Sequence, residues 1–448
     1  MAETTMQRAL EGIRVVDLTT IVMGPYATQI LGDFGADVIK VEAPPGGDPL
    51  RFAGPSRTKG MGPLFLQLNR NKRSILLDLK KPEGLEAMLR LCQKADVLAY
   101  NVRPQAMERL GLGYEQLRRL NPGVIYAGMF GFGRGGPYAA QPAYDDLIQG
   151  MTGYSATFAQ MSGDVPRYIP VNFCDRTTGI YAVGAVTAAL FHRERTGEGQ
   201  AIDIPMFETM AQFILGDNLY GETFVPALGS TGYVRILAPE RRPYATKDGY
   251  VCAVIYTDRH WETFFALAGR ADEFRVTPRY RTLTARTGCI NELYGLAAEI
   301  FRTRATAEWL GLLTAADIPV APLHTLDSLL QDPHLLATDF YRVLDHPSEG
   351  KIRLMRSPTE WSATPAEIRR LPPRPGEHSA EILGEVGNTG MQLRMSTPSS
   401  AIASWALCTA AVSSSTQPES GSLTNRPVAV CRRCKSVCKC TRDSAGSG

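Results

Sequence analysis

The sequence predicts an α/β protein with an open parallel sheet in a large domain and a smaller α+β domain after it. Three observations lead there. Short β-rich runs alternate with helical patterns over residues 12–205. The pattern changes near Pro243, where a turn and a new strand begin. At 448 residues the chain is long enough to bury more than one core.

The first unit occupies residues 12–41. An apolar run over 13–18 fits a strand, Gly24-Pro25 turns the chain, and residues 26–34 form a helix closed by Gly35 before a strand over 38–41. Strands separated by helices imply a parallel sheet covered on its faces. The alternation continues with a strand at 74–77, a helix over 82–94, and strands at 96–100 and 124–130. Helices are predicted over 144–154 and 178–192, the second ending in the polar run Arg193-Glu194-Arg195-Thr196-Gly197-Glu198-Gly199. A strand over 200–205 and a helix over 206–220 complete a Rossmann-like layout. Thr246-Lys247-Asp248-Gly249 then makes a turn before a strand over 250–255, followed by helices at 261–267, 290–301 and 306–316. The expected domains are a large α/β domain over 1–225, a small domain over 226–330 and a return to the large domain over 331–388. Residues 389–448 are expected to form a low-complexity, disordered tail.

Composition narrows the function. With 48 basic and 45 acidic side chains the net charge is only +3, too weak a field to argue for nucleic acid or membrane as a partner. The start of the chain lacks the apolar run of a signal peptide, and nowhere do 18 apolar residues follow one another. Cys92, Cys174, Cys252 and Cys289 are widely spaced, which suits reduced thiols in a cytoplasmic protein. Cys431, Cys434, Cys438 and Cys440 crowd into ten residues of the tail, without the loop that separates paired zinc ligands. No metal site is expected.

The chemistry available to the first half is equally restricted. All six histidines (His192, His260, His324, His334, His346 and His378) lie beyond residue 191. A Ser-His-Asp or Cys-His arrangement confined to the region before them is therefore excluded, and that region must work with carboxylates, amides and cations. The run Gly128-Met129-Phe130-Gly131-Phe132-Gly133-Arg134-Gly135-Gly136-Pro137 follows a predicted strand, where glycines let amides approach an anion or thioester. It has neither a dinucleotide fingerprint nor a P-loop ending, and a surface loop is the other reading. Arg70, Lys72 and Arg73 lie between apolar segments, suited to phosphates or to a solvated turn. Asp175 follows an apolar run and precedes a helix, an N-cap position where amides favour the ionised carboxylate. Locally it reads as a cap in preference to a nucleophile, and one residue can be both.

Taken together, RVVDLTTIVMGPYATQILGDFGADVIKVEAPPGGDPLR, LNRNKRSILLDLKKPEG, NVRPQAMERLGLGYEQLRRLNPGVIYAGMFGFGRGGPY, PAYDDLIQGMTGY and DRTTGIYAVGAVTAALFHRERTGEGQAIDIPMFE resemble the class III coenzyme A transferases. That family includes formyl-CoA and carnitine CoA transferases and the α-methylacyl-CoA racemases. The resemblance runs from about residue 11 to residue 386. It implies an interlocked homodimer and an aspartate nucleophile at Asp175 that carries CoA through an anhydride and an aspartyl-CoA thioester. It implies no permanently bound cofactor, with a CoA thioester and a carboxylic acid as substrates. Lys72 or Arg73 is expected near phosphates, Asn101 and Arg103 along the nucleotide, and the loop of Gly131, Gly133, Gly135 and Gly136 over the thioester. Two departures bear on substrate. The racemases' His-Asp pair falls where this chain has Tyr144-Asp145, and a phenol with a pKa of about 10 is a poor base for an α-carbon. Val22 stands where oxalate-active members have glutamine, and no glycine-rich flap occurs over 228–244. Racemase or isomerase chemistry and a CoA-binding scaffold are the alternatives. Succinate-like, carnitine-like and aromatic acids stay open as acceptors. Residues from 389 onward resemble translation in a shifted frame.

Overall fold

The structure, a computed structural model, describes residues 8–387. The tail from residue 389, with its four crowded cysteines, lies outside the described residues. Strands β1 (Arg14–Leu18), β2 (Asp37–Glu42), β3 (Lys72–Leu76), β4 (Val97–Tyr100), β5 (Ile125–Phe130) and β6 (Gln200–Pro205) form one sheet. Their order is β3-β2-β1-β4-β5-β6 and every pairing is parallel. The chain therefore winds outward from β1, crosses back, and winds outward again from β4. In sheets of this order, ligands enter at the carboxyl ends of the strands where the winding reverses, between β1 and β4.

Alternation along the strands explains the layers. Val15, Val97, Ala99, Ile125 and Ala127 face one core, while Val16, Leu98, Tyr100 and Tyr126 face a second. Helices α1 (Met23–Asp33), α2 (Pro63–Leu68), α3 (Pro82–Gln93), α4 (Pro104–Arg109) and α5 (Tyr114–Leu120) precede β5 or lead into it. After it come α6 (Asp145–Met151), α7 (Tyr154–Ser162), α8 (Phe173–Thr196) and α9 (Met206–Asn218). The first core is closed by α1 and α8, whose small residues Ala27, Cys174 and Ala182 permit close packing. At the crossing, a Cβ on Gly179 would lie 2.8 Å from the Met23 carbonyl oxygen, so only glycine fits there. The second core is filled by α3, by Met107 and Leu117, and by Ile382 and Leu383 of the helix Ser379–Glu385.

A third cluster, around Trp261, Phe264, Phe301 and Trp309, packs beside the antiparallel strands Tyr244–Ala245, Tyr250–Ala253 and Val320–Pro322. After the hairpin Tyr341–His346 and Gly350–Met355, the chain comes back to the parallel sheet. There the Asn71 amide donates to the Arg370 carbonyl at 2.9 Å and the Arg51 guanidinium to the Pro373 carbonyl at 3.0 Å.

Three local expectations change. Gly24-Pro25 sits inside the first turn of α1, where a proline's missing N–H costs no hydrogen bond. The helix expected over 144–154 divides at Gly153, which has φ +86°, into α6 and α7. The helix expected from residue 178 begins at Phe173, so Asp175 lies in its first turn and Asn172 is the N-cap.

Beneath the crevice runs a charge network sealed from water. The Lys72 ammonium donates to Asp17 Oδ2 at 2.9 Å, Thr28 Oγ1 at 2.8 Å and the Pro25 carbonyl at 2.9 Å. Lys40 pairs with Asp48 at 3.0 Å and bonds the Thr19 carbonyl at 2.9 Å. Glu42 holds Arg51 through two bonds, at 2.7 and 2.6 Å, and Arg51 lies 3.6 Å above the Phe65 ring. Burial alone would raise the Asp17 carboxyl, but Lys72 and Lys40 beside it hold it far below the usual carboxylate range. Burial lowers Lys72 to about 8 despite Asp17.

Removing one member of such a pair leaves an uncompensated buried charge. Lys72→Met is expected to destabilise the protein by about 3–5 kcal/mol in urea denaturation, and adding Asp17→Leu to recover most of the loss. A single-variant loss under about 1 kcal/mol would mean that Asp17 finds other partners.

Candidate active site

The crevice between β1 and β4 is tied together by one side chain. Asn101, just past β4, donates through Nδ2 to the Thr20 carbonyl at 2.7 Å and accepts the Thr20 amide at 3.0 Å. The next residue, Ile21, has φ +70°, a strained value for a β-branched residue of the kind that gathers at functional sites. Its amide donates to Asp48 Oδ1 at 3.3 Å, so the strained loop rests on the buried charge network. Arg103 caps α4 at the same end of the sheet, is exposed, and makes no ion pair among the described residues.

The glycine loop leaves the end of β5 and is moored at three points. A Cβ on Gly131 would lie 2.1 Å from Ala143 Cβ, and one on Gly133 2.5 Å from Glu208 Oε1. The Gly133 amide donates to that Glu208 oxygen at 2.9 Å. Arg134 pairs with Asp203 at 2.8 Å and donates to the Tyr100 hydroxyl at 2.8 Å. Gly135 has open space around it and Gly136 is exposed, so the tip of the loop is bare backbone. Packing thus requires glycine at 131, a side chain at 133 would displace the Glu208 carboxylate that holds the loop, and the other two glycines leave room for a ligand.

Asp175 lies in the first turn of α8. Its own amide donates to Asp145 Oδ1 at 2.9 Å, so a carboxylate from α6 caps the longer helix. Asp145 Oδ2 accepts from Gln149 Nε2 at 2.6 Å, and Gln149 Oε1 accepts the Ile169 amide at 2.8 Å. Gln149 is fully buried and Asp145 nearly so, which fixes the segment leading into Asp175. No described residue donates a hydrogen bond to the Asp175 carboxylate. Burial, and then the nearby Asp145 charge, push its carboxyl up to about 7 from 3.8 against the pull of Arg176. The Arg176 guanidinium rests 4.9 Å from the centre of the Tyr26 ring on α1. The starts of α1 and α8 meet here, and both helix dipoles favour an anion. The arrangement offers a basic carboxylate, one unpaired guanidinium and bare amides, the parts needed for acyl transfer.

The other residues singled out by sequence fare unequally. Lys72 cannot meet a phosphate, because its ammonium is fully buried on Asp17, Thr28 and Pro25. Arg73 is likewise a correction: it bonds Asp37 at 2.6 Å, Glu381 at 2.9 Å and Glu385 at 2.5 Å, near the amino ends of the strands. Three carboxylates saturate its guanidinium on the side away from the crevice. Tyr144 is 72% exposed at the start of α6. Gln149 and Arg176 escaped the sequence reading, which named Asp145 only at the position of the racemases' His-Asp pair and gave it no role. The i, i+4 spacing of Asp145 and Gln149 was the available signal, since that spacing lets an amide meet a carboxylate.

A family model described as CoA-transferase family III matches residues 10–379. The chain is 35% identical to succinate–glutarate CoA-transferase of Agrobacterium fabrum, covering 84% of this chain and 95% of that protein. It is 31% identical to human succinyl-CoA:glutarate CoA-transferase, covering 85% and 86% of the two. A solved CAIB/BAIF family protein from Brucella suis superposes with a TM-score of 0.70 at 31% identity, over 85% of this chain and all of that one.

A raised carboxyl makes a stability signature. The folded state favours protonated Asp175, so the favourable contribution is complete below about 3.8 and is lost as pH rises through about 7. Asp175→Asn should therefore be more stable than the parent at pH 8, by up to about 4 kcal/mol, with a gap of less than half that at pH 5. Asp145→Asn keeps the cap oxygen and removes its charge. Carbon-13 NMR titration of Asp175 should then show its pKa falling by about one pH unit, and no fall would separate the two carboxylates electrostatically.

Proposed function

The chain belongs to CoA-transferase family III, and from that membership we propose that Asp175 is the covalent carrier in its reaction. The protein is an enzyme that moves coenzyme A from an acyl-CoA donor to a carboxylic acid acceptor. In the proposed course, an Asp175 oxygen attacks the donor thioester carbon and the C–S bond breaks, leaving an acyl-aspartyl anhydride and CoA thiolate. The thiolate attacks the Asp175 carbonyl, the donor leaves as a free carboxylate, and an aspartyl-CoA thioester remains. The acceptor carboxylate attacks that thioester and expels the thiolate, giving a second anhydride. The thiolate then takes the acceptor acyl group and Asp175 returns as a carboxylate. No net proton is consumed.

The observation that carries this reading is the Asp175 carboxyl raised to about 7 at the start of α8, without a hydrogen-bond donor of its own. A free, basic carboxylate is a nucleophile, whereas a fully bonded one is a structural cap. Arg176 supports an additional role. Two carboxylates already occupy the site, and an acceptor acid brings another negative charge, which an unpaired guanidinium can receive. The bare tip at Gly135 and Gly136 suits amides placed over the thioester carbonyl, and Arg103 suits a CoA phosphate. Several relatives are named for succinate, glutarate, malate or citramalate, which favours a short dicarboxylic acid as acceptor. CoA arrives as substrate, with no permanent cofactor in this scheme. Free thiols at Cys92, Cys174, Cys252 and Cys289 favour a reducing, cytoplasmic setting. No helix among the described residues is long and apolar enough to cross a membrane. The outer side of α8 exposes Ile180, Tyr181 and Phe191, and α9 adds Phe213. Exposed apolar side chains of this sort suit burial against a second copy.

Trapping tests the chemistry. Incubation with succinyl-CoA and then hydroxylamine should leave a hydroxamate on the Asp175 peptide, with Asp175→Asn unmodified and its kcat lowered by at least about a thousandfold. With the parent enzyme, kcat/KM should rise through about pH 7 and level off above it, as the free carboxyl ionises. Deuterium entering the donor's α-carbon without exchange of CoA would instead identify a racemase.

Sedimentation tests the assembly. The parent should run as a dimer, and Tyr181→Glu combined with Phe191→Glu should shift it toward monomer. A monomeric parent at micromolar concentration would rule out the stable pair.

A further inference from the structure

The glycine loop and the start of α9 cap each other. Phe207 is the second residue of α9, and its amide, which has no partner inside the helix, donates to the Gly131 carbonyl at 2.9 Å. Glu208, the third residue, sends its carboxylate the other way, to the Gly133 amide at 2.9 Å. A glutamate at that position ordinarily turns back to the amide of the N-cap residue. Here the N-cap is Pro205, which has no N–H, so the carboxylate is released to reach another segment. Glu208 is exposed and makes no ion pair among the described residues. Phe207 adds an aromatic seam, its ring centre 5.7 Å from that of Phe132 and 6.4 Å from that of Tyr138. Gly133 also opens a turn, in which its carbonyl accepts the Gly136 amide at 3.3 Å. The Arg134 side chain is tied to Asp203 and Tyr100, while the amides of Arg134 and Gly135, inside the turn, have no partner among the described residues.

We propose that, on the reading that this loop lies over the thioester, Glu208 is a positioning residue: it holds Gly133 so that the turn presents its two unbonded amides to the developing oxyanion. Successive amides in a turn form a concavity suited to an anion. They stabilise a transition state only when already in place, because donors that must first reorganise lose that advantage. A run of glycines has no side chains to set its direction. The direction is set from outside the run: the Gly131 carbonyl fixes where the loop leaves β5, and the Gly133 amide fixes the turn. The role calls for an acceptor oxygen at Gly133 and not for a negative charge, so the neutral amide oxygen of a glutamine would serve it as well.

The test uses the full chain with succinyl-CoA and glutarate. Glu208→Ala should lower kcat at least about tenfold, with KM for succinyl-CoA within about threefold and Tm unchanged, because the misplaced amides are missed chiefly in the transition state. Glu208→Gln should keep kcat within about threefold of the parent. Hydrogen exchange at the Gly133 amide, read by mass spectrometry with fragmentation, should be at least about tenfold faster in Glu208→Ala and parent-like in Glu208→Gln. Gly133→Ala, whose Cβ would lie 2.5 Å from Glu208 Oε1, should reproduce the loss in kcat. Joining it to Glu208→Ala should deepen that loss by less than about twofold, because both break one bond. Should Glu208→Ala not fold, Gly133→Ala set against Glu208→Gln carries the comparison. A Glu208→Ala kcat within about twofold of the parent, or a Glu208→Gln kcat as low as that of Glu208→Ala, would overturn the proposal. Unchanged exchange at Gly133 in Glu208→Ala would overturn it as well. These comparisons rest on relative rates and on exchange, so they stand or fall whether or not Asp175 yields a hydroxamate.

Discussion

The Lys72–Asp17 ion pair is the constraint on which the crevice rests. Both groups are fully buried. A charge in that position is tolerated only because its partners are all present: Thr28, Pro25 and Asn69 for the ammonium, Thr19 and Thr28 for the carboxylate. Those partners belong to β1, α1 and the segment before β3, so the pair joins three chain segments at one point. Lys40 and Asp48 extend the joint to the strained Ile21, whose amide Asp48 accepts. A hydrophobic core of equal volume could hold the same elements together. It could not specify the direction of each loop, because dispersion has no preferred donor or acceptor.

Over that fixed floor, Asp175, the proposed nucleophile, is held by its backbone and not by its side chain. Asp145 binds the Asp175 amide, and Gln149 binds Asp145 and the chain entering α8. The carboxylate of Asp175 is consequently positioned while remaining unbonded. Bonding it directly would have oriented it equally well, but each donor would have lowered its pKa and its reactivity. The helix dipole works in the same direction as such donors, and the Asp145 charge opposes it. Position and basicity are thereby controlled by different atoms.

The sheet was legible in the sequence because its period is local. Alternating apolar residues such as Val15-Val16 and Val97-Leu98 mark a strand buried on both faces, and the helices between them force parallel pairing. Asp175 was legible as a residue, but its place in the helix was not. The start of α8 is bound by Asp145, thirty positions away in the chain, while the N-cap Asn172 makes no side-chain capping bond. Lys72 and Arg73 misled for a related reason. A cation between apolar runs looks available to a ligand until the fold brings Asp17 beside one, and Asp37, Glu381 and Glu385 beside the other. Charge in a sequence carries no label for burial. Only the carboxylates that converge on it decide whether it serves a substrate or the scaffold.

The raised carboxyl also resolves a thermodynamic difficulty in the proposed exchange. A thiol of the CoA kind has a pKa of about 8.5, and an ordinary aspartate about 3.9. Attack of so weak a base on a thioester would strongly favour return of the thiolate, and the anhydride would scarcely form. At about 7, Asp175 approaches the basicity of the group it displaces, so the first exchange becomes more nearly balanced. An aspartate that is too acidic would be an excellent leaving group and a poor attacker. One that is too basic would be protonated at neutral pH. Burial, and then a second carboxylate at the helix start, with one guanidinium to moderate them, hold Asp175 between those limits.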